Sequence, residues 1–128
     1  MTNTLQHIQA GIAAEYRRDL PTARQCYQDA WDVATDHYEY CVAAHYLGHR
    51  EPDAVAALRW HQEALAHAER VADDRVAAFY PSLYVNLGAA YERIGDHAAA
   101  QRFYALAANL GLAHQQELVR TSQLGTAS

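Results

Sequence analysis

Tyr84–Ala107 reads YVNLGAAYERIGDHAAAQRFYALA, and its spacing decides the fold. Tyr84, Leu87, Gly88 and Tyr91 recur at intervals of three and four residues, so they share one helical face. The run breaks at Ile94-Gly95-Asp96, where a glycine closes one helix and an aspartate caps the next. Asp96, Ala100, Tyr104 and Ala107 then mark a second helix with small residues at its packing seam. Two helices joined by so short a turn are expected to form a hairpin.

Outward from this stretch the pattern repeats. Asp19, Ala23, Tyr27 and Ala30 keep the same internal spacing, as do Asp53, Ala57, His61 and Ala64. Asp19 to Asp53 is 34 residues and Asp53 to Asp96 is 43. A period of this length predicts stacked supersecondary units rather than one irregular core. Tyr40, Ala43, Ala44 and Leu47 precede the second copy, with Gly48, Pro52 and Asp53 at the turn. His7, Ala10 and Gly11 precede the first, ahead of Asp19-Leu20-Pro21. Both prolines adjoin a capping aspartate, near a helix start where proline is tolerated.

These residues resemble the tetratricopeptide repeat family, of bacterial type, over about residues 4 to 110. The third unit carries the aromatic-Leu-Gly-aromatic, Gly-Asp and Ala-Tyr-Ala signature throughout, and the first two carry it in part. The first unit lacks large aromatics in its first helix, and the second has His61 where the family prefers an aromatic. The resemblance implies an all-α fold, an α-solenoid of three helical hairpins in one domain spanning residues 1–128. The hairpins are expected over about 4–36, 37–72 and 74–109, followed by a short C-terminal helix over about 110–122. With Gly11, Ala44 and Gly88 taken as equivalent, the second turn is one residue longer than the others.

In that family the first helices line a concave groove, which implies a protein- or peptide-binding adaptor. The resemblance puts Ile12 and Tyr16, then Tyr38, His45 and His49, then Ser82, Asn86, Ala89 and Arg93 on this surface. The expected binding residues are Tyr16, Tyr38, His45, His49, Ser82, Asn86, Glu92 and Arg93. The lysine-containing carboxylate clamp of some family members is missing, because the chain has no lysine. Arg93 and Asn86 are the donors suited to hold one carboxylate instead.

Composition limits the partners. The formal net charge is −5, and Arg17-Arg18 is the densest basic cluster, so nucleic acid is not an expected partner. No apolar run approaches the ~20 residues of a membrane span, and the first residues lack a leader pattern, so a cytoplasmic location is expected with no membrane partner. A solenoid whose last apolar face is covered by one short helix is expected to be a monomer or a homodimer. Cys26 and Cys41 have no metal or redox spacing and are expected to be buried, unreactive thiols inside helices. Trp31 and Trp60 adjoin packing positions and are expected between hairpins. Between Val71 and Tyr80 two readings stand: a helix from Asp73 or Asp74 that carries Pro81 inside it, or an ordered loop before a helix starting at Pro81.

His45 and His49 form an i,i+4 pair on one face. A zinc site needs three or four ligands, and only His61 and Glu92 are candidates for a third, so no metal and no cofactor are expected. Beside Tyr38, Tyr84 and Glu92 the pair also offers a general acid/base cluster, yet no nucleophile motif, phosphate loop or cofactor fingerprint accompanies it, so no catalytic residue is assigned. Alternatives to the adaptor are a small-molecule or metal-dependent enzyme using this pair, and a regulatory sensor acting on another protein. With ordinary imidazole pKa values, the pair is expected to gain protons between about pH 7.5 and 5.5 and so to favour acidic ligands.

Overall fold

The computed structural model describes residues 2–126, with side chains described through Gly111. Six α-helices follow in order: α1 (Thr4–Tyr16), α2 (Leu20–Val33), α3 (His37–Arg50), α4 (Ala54–Ala68), α5 (Tyr80–Arg93) and α6 (His97–Thr126), with a 3₁₀ segment, Asp74–Phe79, before α5. No strand occurs among the described residues. α1 packs on α2, α3 on α4 and α5 on α6, while α2·α3 and α4·α5 contacts join consecutive hairpins. No helix among the described residues is long and apolar enough to cross a membrane.

The capping aspartates act as their spacing implies. Asp19, Asp53 and Asp96 accept from the backbone N–H three residues on, at 3.3, 2.8 and 3.1 Å. Asp36 does the same for α3 at 2.8 Å, and Asn3 with Gln6 closes a reciprocal capping box on α1. Each such cap contributes roughly 1 kcal/mol by satisfying an otherwise orphaned donor. The open ends of the first two hairpins are also tied: Thr4 donates to the Ala30 carbonyl at 2.9 Å, and His37 meets His67 Nδ1 to Nδ1 at 2.9 Å.

All three intra-hairpin turns are three residues long, so the longer second turn expected from the sequence is absent. The turns differ in conformation instead. Arg18 (φ 60°) and Gly95 (φ 86°) stand in the left-handed region just before the caps, and the amides of Asp19 and Asp96 reach back to the carbonyls of Ala14 and Tyr91. Pro52 holds the matching place in the second turn, and its ring fixes φ negative. That turn runs extended instead, with ψ 116° at Glu51 and 125° at Asp53.

The change of turn alters how α3 meets α4. A methyl group built on Gly11 or Gly88 would overlap the ring of Tyr27 or Tyr104. Counted back from the cap, the matching residue of the second hairpin is His45, and Ala44, the position taken as equivalent from the sequence, lies beside it. Yet the residue under the His61 ring is Gly48, about one turn further along α3. The equivalence of Gly11, Ala44 and Gly88 is thus corrected: close approach is served by Gly48, a shift that accompanies the extended turn at Pro52.

The core is a strip between hairpins. Ile8, Ala14, Ala23, Tyr27, Ala30, Ala43 and Leu47 form one cluster, and Cys41, Ala44, Ala64, Ala68, Val76 and Leu83 the next. Leu58, Leu87 and Ala90 form a third towards the end of the stack. Alanine at so many contacts allows close helix approach, and Trp31 and Trp60 meet edge to face at 5.0 Å between hairpins, partly buried as expected.

The residues that lengthen the second interval combine the two readings left open by the sequence. Asp73 caps the 3₁₀ segment through the Arg75 amide at 3.0 Å, and Val76 plugs into the second cluster. α5 begins afresh at Tyr80, with Pro81 in its first turn where no donor is lost. The separate helix expected over about 110–122 is the continuation of α6, which runs 30 residues to Thr126. Gly111 costs only about 1 kcal/mol inside a helix, and no proline follows to stop it.

Candidate functional site

An open groove of about 680 Å³ lies where α3, α5 and α6 converge. His45 and His49 line one side; Pro81, Ser82, Val85 and Asn86 come from α5, and Tyr104, Ala107 and Ala108 from α6. Four residues expected from the sequence therefore meet here: His45, His49, Ser82 and Asn86. Spacing explains the joint: residues 45 and 49, and residues 82 and 86, are each one helical turn apart. Asn86 Nδ2 lies 3.3 Å from His45 Nδ1, a bond across consecutive hairpins. With the amide as donor, Nδ1 accepts and Nε2 carries the imidazole proton.

The remaining candidates lie elsewhere. Tyr38 faces an adjoining cavity that shares His45. Tyr16 is 87% exposed at the end of α1 and borders a separate depression with Ile12, Glu15 and Tyr46. Glu92 accepts from the Tyr104 hydroxyl at 2.9 Å, inside its own hairpin. Arg93 donates to the Pro52 carbonyl at 3.1 Å, tying the third hairpin to the second turn. Asn86 and Arg93 are seven residues apart, about 10 Å along the helix, and each donor group is engaged separately, so they are not gathered around one carboxylate.

Pro81, Val85, Tyr104, Ala107 and Ala108 were not expected at the groove. Tyr104 and Ala107 were recognised as packing positions, and their spacing with Ala108 does put them on one face of α6. Whether that face also meets α3 depends on how hairpins pack, which the spacing of a single helix does not carry.

The electrostatics depart from free histidine. Burial drives His45 from the ordinary value down to about 4, and the neighbouring His49 imidazole adds to the effect. His61 is likewise held at about 4, by burial first and then by His49, His45 and Arg93. His49 is lowered by burial and by Arg50, against an opposing pull from Glu15. The three rings form a chain, with His45 to His49 at 4.9 Å and His49 to His61 at 5.4 Å between centroids. His61 is 6% exposed, and its Nδ1 is buried with no hydrogen-bond partner. The expected proton uptake between pH 7.5 and 5.5 is corrected for His45, which stays neutral there because desolvation disfavours its charged form.

No group of three or more His, Cys, Asp or Glu side chains among the described residues is arranged to hold a metal ion. Of the two third ligands considered from sequence, Glu92 accepts from Tyr104, and the His61 ring lies over Gly48. Of the two cysteines expected to be buried, Cys26 is only partly so, whereas Cys41, 1% exposed, has its thiol pushed up to about 11 by burial, so it is protonated near neutrality and a poor nucleophile.

Fold and groove together define an all-α protein of six helices packed as consecutive hairpins. No family model matches the chain, and no match is found among curated proteins or solved structures.

Proposed function

We propose that this is a binding module of the tetratricopeptide repeat type, an adaptor that takes an extended peptide or a partner helix in the groove between its second and third hairpins. The observation that carries the reading is the convergence of His45, His49, Ser82 and Asn86, from two hairpins, on an open groove of about 680 Å³. Amide, hydroxyl and neutral imidazole groups beside Pro81, Val85 and two alanines suit a peptide backbone with small apolar side chains. Such surfaces gain affinity from many modest contacts. With His45 held neutral, backbone carbonyls are better partners for its N–H than a carboxylate is.

Selection from a displayed peptide library, followed by calorimetry, tests this. A peptide selected on the native protein is expected to lose tenfold or more in affinity against a His45→Ala/Asn86→Ala double variant that keeps its helical circular dichroism. Equal affinity for both proteins would exclude this groove.

A further inference from the structure

Beside the groove lies a smaller, more enclosed cavity of about 210 Å³. Ile8 of α1, Tyr38, Cys41, Val42, His45 and Tyr46 of α3, Phe79 of the 3₁₀ segment and Leu83 of α5 line it. The deep walls are fixed, with Ile8, Cys41 and Leu83 exposed by 5% or less. Phe79 forms the outer edge at 39% exposure, its ring stacked on Tyr38 with centroids 6.3 Å apart. Arg75 lies over the Tyr38 ring at 4.5 Å and is held by Asp73 through paired contacts of 2.9 and 3.0 Å.

This wall exists because the repeat is interrupted. Asp73 to Phe79 belongs to the stretch that lengthens the interval between the second and third units. An insertion required only as a connection has no need to return an aromatic ring to the preceding hairpin.

From this geometry we propose that the cavity is a binding site for a small, uncharged aromatic molecule bearing a hydrogen-bond acceptor oxygen, such as a phenol or an aryl ketone. Size supports the ring, since an apolar cavity of roughly 150 Å³ accepts benzene, and the larger volume here leaves room for one substituent. Tyr38, Tyr46, Phe79 and His45 supply four ring faces or edges for offset or T-shaped contact. The lining has no carboxylate and no guanidinium. A charged ligand entering it would lose hydration without a counter-ion. The acceptor follows from His45, whose Nδ1 is taken up by Asn86, leaving Nε2–H to donate. The His45 N–H is common to this cavity and the peptide groove, so the two ligands compete for it, whereas Phe79 borders the cavity and not the groove and tells the two readings apart.

The test is an amide-resolved NMR titration of the full chain with acetophenone, phenol, toluene and benzoate. Acetophenone and phenol are expected to shift Cys41, Val42, His45 and Leu83, with toluene about tenfold weaker, the order of one hydrogen bond, and benzoate not binding. Val42→Phe fills the space, and Phe79→Ala removes the outer edge without touching a buried residue. Each is expected to weaken acetophenone by tenfold or more, and Phe79→Ala decides the matter if Val42→Phe does not fold. Absence of saturable shifts with acetophenone and phenol, unchanged affinity in Phe79→Ala, or benzoate binding as tightly as acetophenone would overturn the proposal.

Discussion

The first and third hairpins close on the same pair of side chains, and the middle hairpin does not. Glu15 accepts from Tyr27 at 2.8 Å, and Glu92 from Tyr104 at 2.9 Å, over residues separated by 12 in each case. The matching positions of the middle hairpin hold His49 and His61, rings 5.4 Å apart, over a glycine one turn displaced. The outer pairs join a carboxylate to a hydroxyl within the hairpin, and Glu15 also meets Arg50 of the middle hairpin at 3.3 Å. The middle pair leaves a buried nitrogen without a partner, and it is this hairpin that supplies His45 and His49 to the groove. The departure falls in the hairpin whose α3 lines the groove, while Tyr104 of an outer pair lines the same groove from α6.

The outer hairpins, alike in chemistry, differ in burial, and that gives the largest expected effect. Tyr27 is fully buried, so Tyr27→Ala should lower unfolding free energy by about 4 kcal/mol in urea titrations. Tyr104, half-buried near the end of the stack, should lose about 1 kcal/mol on the same change. Equal losses would break the view that burial, not the Glu–Tyr bond, sets the difference.

Acidification should separate the middle hairpin from its neighbours. The folded-state pKa of His61 is depressed to about 4, so its contribution is full above the unfolded value near 6.5 and is lost as pH falls towards 4, because only the unfolded chain takes up the proton in that interval. The slope is about 1.4 kcal/mol per pH unit for His61, with a comparable share from His45, which is lowered to the same value. The imidazoles of His45 and His49 and the Arg93 guanidinium face His61 and strengthen the effect. A His49→Glu/His61→Tyr double variant, which installs the outer pair, is expected to flatten this dependence in denaturation midpoints between pH 7.5 and 5. A slope unchanged in that variant would place the pH sensitivity elsewhere.

Smaller effects sharpen the comparison at the glycines. Gly48→Ala drives a methyl group into the His61 ring, whose residue is 6% exposed, and should cost about 2 kcal/mol in thermal or urea unfolding. Gly88→Ala meets a Tyr104 ring freer to swing, and the gain in helix propensity should hold the net change within about 0.5 kcal/mol. Smallest of all, Pro52→Gly permits a left-handed residue in the middle turn while loosening the unfolded chain, with an expected loss of under about 1 kcal/mol.

Much of this architecture was legible before the structure. The i, i+4 and i+3 spacings marked the six helices, and the capping aspartates fixed where the hairpins turn, because both signals are local. The register of α3 on α4 was not legible, since it depends on how a turn containing Pro52 redirects two helices against each other. Four of the residues that the resemblance put on one surface, His45, His49, Ser82 and Asn86, line one groove in the structure. Glu92 and Arg93 were assigned by position alone, and their partners, Tyr104 and the Pro52 carbonyl, come from other helices or turns. The histidine pKa values escaped for the same reason, as desolvation is a property of the packed surroundings.

The central claim, that binding belongs to the groove beside the middle hairpin, is tested most directly by amide chemical-shift mapping of a selected peptide on the native protein. The account expects saturable shifts concentrated at His45, His49, Ser82, Val85 and Asn86, with Trp31 and Trp60 unmoved. Shifts concentrated instead around Trp31, Arg59, Trp60 and Glu63, which line a separate surface depression, would contradict it.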